Sequence, residues 1–118
     1  MADPVAAPEL RLIPARVMSA RRAFRSDADL ASALGVDRSR IVRYRRGETP
    51  SGQVAETLIG LDVVISLLDG FLDGAAIPDW LGGVNAHLGN RRPLDVLRTG
   101  PLSDVIAAIE AERSGAFA

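Results

Sequence analysis

The feature that most constrains the fold of this 118-residue chain is a run of apolar residues, Val54, Leu58, Leu61, Ile65, Leu68 and Leu72, spaced at alternating steps of four and three. That spacing keeps one face of an α-helix apolar, and a strand, whose side chains alternate every two residues, cannot satisfy it. A long connecting helix is therefore expected within 51–75. Its seam can be covered by other helices of the same chain or by a second copy in a dimer, and the pattern alone leaves both open. No strand-like alternation, internal repeat or low-complexity tract occurs elsewhere, so the expected class is all-α.

Glycine and proline punctuate the rest. Residues 1–12 are rich in proline and alanine, show no apolar period and read as a flexible arm. Pro14 suits the first turn of a helix running to Phe24, with Val17, Ala20 and Phe24 on one side and Arg16, Arg21, Arg22 and Arg25 along the remainder. Ser26 followed by Asp29 opens a short helix whose stripe is Leu30, Ala31 and Leu34, and Gly35 ends it. Asp37 is positioned to cap a further helix from Arg38 to Arg46, with Ile41 and Tyr44 inward and Gly47 as its stop. After the long helix, three segments each begin at a proline: Pro78–Leu88, Pro93–Arg98 and Pro101–Arg113. The last carries Leu102, Val105, Ile106 and Ile109 at i, i+3, i+4 and i+7 before Gly115 ends it.

Composition excludes several kinds of chemistry. With no cysteine and one histidine, disulfides, thiolate zinc sites and histidine-rich metal clusters are ruled out, and no cofactor is expected. The acidic, proline-containing start does not read as a signal peptide, and Asp62, Asp69 and Asp73 break the longest apolar stretches, so a cytoplasmic protein without membrane association is expected. His87 has no carboxylate and nucleophile set around it in a catalytic pattern, and an enzyme is not expected.

The net charge of −1 hides a division: residues 1–50 hold ten arginines against six acids, a net +4, and residues 51–118 hold four arginines against nine acids, a net −5. The surface that a nucleic acid needs is therefore concentrated at one end. There, DLASALGVDRSRIVRYRRG, Asp29 to Gly47, has the spacing of a helix-turn-helix. Leu30, Leu34, Val36, Ile41 and Tyr44 occupy inward positions, Ala31 is small where two helices cross, and Gly35 stands where a left-handed backbone is cheapest. At about 100° per residue, Ser39, Arg43 and Arg46 point away from Ile41 and Arg40 lies on the flank, which makes these four the base-edge and phosphate candidates. Arg38 and Arg45 lie nearer the packed side and are assigned to backbone phosphates. The competing reading is a solvated charged helix that has no nucleic-acid partner.

From Ile77 the chain reads IPDWL, then Asn85, then LGNRRPLDVLRTG, and it closes on EAERSGAFA. Together with the preceding pattern, the ordered set Trp80, Leu81, Asn85, Leu88, Gly89, Arg92, Pro93, Leu94, Leu97, Gly100, Val105, Ile109 and Gly115 resembles the Xre/MbcA/ParS-like antitoxin family, partners of RES-domain toxins. The resemblance covers almost all of the chain after Leu12. It implies an Xre-like helix-turn-helix domain at 13–50 that binds the promoter of its own operon. It further implies a toxin-binding domain at 76–118 whose end packs over the active-site cleft of an NAD-consuming partner. The toxin-binding candidates that follow are Glu112, Arg113, Gly115 and Phe117, with Arg91, Arg92 and Arg98 as further contacts or helix-end charges. Tyr44 stands where many helix-turn-helix proteins carry tryptophan. Phe117 can be read as a plug or as a frayed end, and Trp80 as a partner anchor or as core. A homodimer is expected, because one short reading helix binds weakly by itself. The alternative function is a stand-alone transcriptional regulator whose C-terminal part dimerises or senses a ligand.

Overall fold

A computed structural model describes residues 12–115, and among these it contains seven α-helices, two 3-10 turns and no strand. Nearly all of the expected N-terminal arm, and Phe117, lie outside the described residues. The chain divides into two compact units, Met1–Ile59 and Gly60–Ala118.

In the first unit α1 (Ile13–Arg21), α2 (Asp27–Leu34) and α3 (Arg38–Arg45) pack pairwise against one another. Ile13, Val17, Phe24, Leu30, Ala31, Leu34, Ile41 and Tyr44 are buried, as their spacing requires. Helix α1 was expected to reach Phe24 and stops at Arg21 instead. The Arg21 guanidinium folds over that end, where Nη1 donates to the Phe24 carbonyl at 2.8 Å and Nη2 to that of Arg25 at 3.4 Å. A side chain thus takes carbonyls that a continuing helix would have bonded internally. Ser26 caps α2, its hydroxyl accepting from the Asp29 N–H at 3.1 Å. Gly35 closes α2 at φ 71°, the left-handed conformation that a β-carbon disfavours. Asp37 stands at the N-cap of α3 with extended backbone, but its side chain makes no capping bond; its carbonyl accepts from the Arg40 N–H at 2.9 Å.

The long helix α4 spans Gly52–Leu68, and the division between units falls inside it. Ser51 starts it, with its hydroxyl accepting from the Val54 N–H at 3.3 Å. Of the seam, Leu58, Leu61 and Leu68 are fully buried, whereas Val54, Ile65 and Leu72 are half-buried. Leu72 falls beyond the helix, because the backbone tightens into a turn after Leu68, with the Phe71 N–H donating to the Leu68 carbonyl at 3.0 Å.

In the second unit, α4 from Gly60 onward is followed by a 3-10 turn at Gly74–Ala76, α5 (Ile77–Gly82), a 3-10 turn at Ala86–Leu88, α6 (Pro93–Thr99) and α7 (Leu102–Arg113). The apolar stripe expected on the last helix holds, with Val105 and Ile109 fully buried and Leu102 and Ile106 half-buried. The helix expected over Pro78–Leu88, which the adjacent Gly82 and Gly83 weaken by about 1 kcal/mol each relative to alanine, is short. It ends at Gly82, Gly83 is extended at φ −89° and ψ 153°, and the Asn85 N–H donates to the Arg91 carbonyl at 3.0 Å in an isolated bridge. A β-carbon on Gly83 would stand 2.9 Å from the Asp79 carbonyl oxygen, so the close exit from α5 favours glycine for steric reasons. No helix among the described residues is long and apolar enough to cross a membrane.

Candidate functional site

The basic residues of α3 are sorted by the helix itself. Ile41 and Tyr44 are buried at 0% and 3% exposure, which turns Arg38, Ser39, Arg40, Arg43 and Arg46 outward, and all five are exposed. Burial also pushes the Tyr44 phenol pKa up, so the ring remains neutral beneath four exposed guanidiniums. Glu48, just past the helix, takes part of that charge: Arg40 Nη1 donates to Glu48 Oε2 at 2.9 Å, and Arg43 Nη1 lies 3.9 Å from Oε1. Arg38 and Arg46 make no ion pair among the described residues.

Arg45 has a different setting from the other five. It is half-buried, and its guanidinium donates to both carboxylate oxygens of Asp27, through Nη1 to Oδ2 at 3.2 Å and through Nη2 to Oδ1. Arg21 Nε donates to the same Oδ1 at 2.8 Å. One carboxylate at the start of α2 thereby ties the last turn of α3 to the end of α1. The bonds from Arg45, reinforced by Arg21 and opposed by partial burial, lower the Asp27 pKa below its ordinary 3.8.

The second set of candidates is dispersed through the second unit. Trp80 is half-buried, and its indole N–H donates to the Glu112 carboxylate, closing one side of a small cleft lined also by Asp79, Gly83, Asn85 and His87. Arg113 lies over the Phe71 ring at 5.7 Å from its centroid and pairs with Glu110 at 3.6 Å. Arg91 uses its Nε to bond the Leu88 carbonyl at 2.8 Å, while Arg92 and Arg98 are exposed near the two ends of α6. Gly115 follows α7 with φ 71°. No group of three or more potential metal ligands is found among the described residues.

The sequence reading missed Asp27, Arg21 and Glu48 as partners of the basic helix, and Val42, which stands exposed among its arginines. Asp27 is separated from Arg45 by 18 positions, and no local pattern reports such a pair. Val42 was legible by rotation alone, since it lies about 100° from Ile41, on the same side as Arg46. No family model, curated protein or solved structure matches the chain.

Proposed function

We propose that this chain is a DNA-binding antitoxin: α2, the Gly35 turn and α3 act as a helix-turn-helix on operator DNA, and the second unit binds and neutralises a RES-domain, NAD-degrading toxin. The observation that carries the DNA half is that Arg38, Ser39, Arg40, Arg43 and Arg46 are all exposed around a helix whose inner side is fixed by the buried Ile41 and Tyr44. A guanidinium can bond guanine O6 and N7 together, and exposed arginines along one helix neutralise phosphates and release counterions. Arg45 enters this reading as the residue that anchors α3 through Asp27. A two-fold dimer would place two such helices in half-sites about 34–36 Å apart. The toxin half rests on the family resemblance, with Arg91, Arg92 and Arg98 as its exposed cations.

The test of the DNA half is a fluorescence titration with a duplex from the promoter of the chain's own operon. Affinity should fall as salt rises, and Arg43→Ala should weaken binding by about 1–3 kcal/mol. Unchanged affinity in the variant would remove Arg43 from the interface, and duplex binding insensitive to salt would overturn the reading. For the toxin half, co-expression should rescue cells from a RES-domain protein encoded beside the gene. Recovery of no enzyme partner in a pull-down would favour the stand-alone regulator.

A further inference from the structure

The face of α3 that carries the arginines contains one apolar side chain, Val42, which is 37% exposed. Its neighbours on the helix surface at i−4, i−3 and i+4 are Arg38, Ser39 and Arg46, all exposed. Ser39 and Val42 are short where Arg38, Arg43 and Arg46 are long. A helix with this relief can bring its backbone close to a surface at Ser39 and Val42 while the arginines reach past on either side. A β-branched residue also gives up some helix propensity relative to alanine or arginine. Water gains nothing from its two bare methyl groups.

Within the major groove the base edges present hydrogen-bonding groups at every pair, and the apolar feature among them is the C5-methyl of thymine. We infer that Val42 is a specificity-determining residue of α3, packing its methyl groups against a thymine C5-methyl within the steps that the flanking arginines contact. The inference rests on the DNA-binding reading above and narrows its ligand to B-form duplex DNA containing thymine at that position. An RNA duplex lacks the methyl and has a major groove too narrow for the helix.

The test begins with selection of the tightest duplex from a randomised 20-base-pair DNA pool by the full chain. Each thymine of that duplex is then replaced singly by deoxyuridine, which deletes the methyl alone. For the unaltered chain, one thymine per bound half-site should show a loss of about fourfold on replacement, the weight of one buried methyl. Val42→Ala, whose exposed position and better helix propensity leave the fold intact, should bind the thymine and deoxyuridine duplexes equally. Equal binding of both duplexes by the unaltered chain, a selected site without thymine, or a deoxyuridine penalty that survives in Val42→Ala would each overturn the role of Val42 while leaving duplex binding in place. Failure to bind any duplex would overturn this inference together with the reading beneath it.

Discussion

The two units use charge in opposite ways. In the first, Asp27 gathers Arg21 and Arg45, Glu48 meets Arg40, and the exposed arginines that remain are concentrated on α3. In the second, the cations are spread from Arg91 to Arg113, and the contacts described are separate ones: a carbonyl for Arg91, an aromatic ring and Glu110 for Arg113. A cluster organised by one carboxylate fixes the direction of a helix, whereas scattered contacts trim loops and ends around an apolar core. The first arrangement holds several exposed cations at fixed positions along one helix. The second leaves the burden of shape on Leu61, Leu81, Val96, Val105 and Ile109, all fully buried.

The strongest challenge to this contrast is to remove packing from both units. Ile41→Ala and Ile109→Ala should each cost about 2–5 kcal/mol in urea denaturation, since both side chains are fully buried. A mild effect at Ile41 alone would mean that the ion cluster, rather than packing, carries the first unit.

A finer separation comes from two glycines. Gly35→Ala and Gly83→Ala should each cost about 1–2 kcal/mol, the first through a left-handed backbone at φ 71° and the second through contact with the Asp79 carbonyl oxygen. Asparagine, which tolerates the left-handed region, should recover part of the loss at position 35 and none at 83. Equal recovery at both positions would show that one cause operates at both.

The smallest effect is expected at the carboxylate. Asp27→Asn should lose about 1 kcal/mol at neutral pH, discounted for its partial exposure to solvent. Because the folded-state pKa of Asp27 is lowered, its contribution is fully present above the unperturbed 3.8 and is lost as the pH falls below that value toward the depressed one. The stabilities of the two proteins should therefore converge on acidification. A gap that persisted at low pH would assign the loss to something other than the charge.

These elements differ in how far they could be read from residue order. The buried stripe of α2, the Ser26 cap and the Gly35 stop are local, and each acts within one or two turns, so spacing reveals them. The burial of Ile41 and Tyr44, which sets the outward direction of the arginines, was legible for the same reason. What escaped depends on side-chain and loop bonds that the helical repeat does not report, some of them between residues far apart in the chain. Where α1 ends early, Arg21 bonds the carbonyls just beyond it, and the break after Gly82, where two adjacent glycines already weakened the expected helix, goes with the pairing of Asn85 and Arg91. Trp80 and Glu112, 32 positions apart, meet only once α5 and α7 are folded. The cap expected from Asp37 failed at the level of the side chain, although the helix starts where it was expected.

The shared carboxylate of Asp27 has a consequence for how this region can vary. Arg21, Asp27 and Arg45 lie in three different segments yet share one carboxylate, so a change at Asp27 strands two arginines, whereas loss of either arginine leaves the other pair in place. Substitutions there should be strongly non-additive in a multiple-mutant cycle, with the triple replacement by apolar residues less harmful than the sum of its parts. By contrast, Arg38 and Arg46 have no such internal obligation among the described residues. The exposed face of α3 can thus exchange its side chains without disturbing the ion cluster that holds the helix in place.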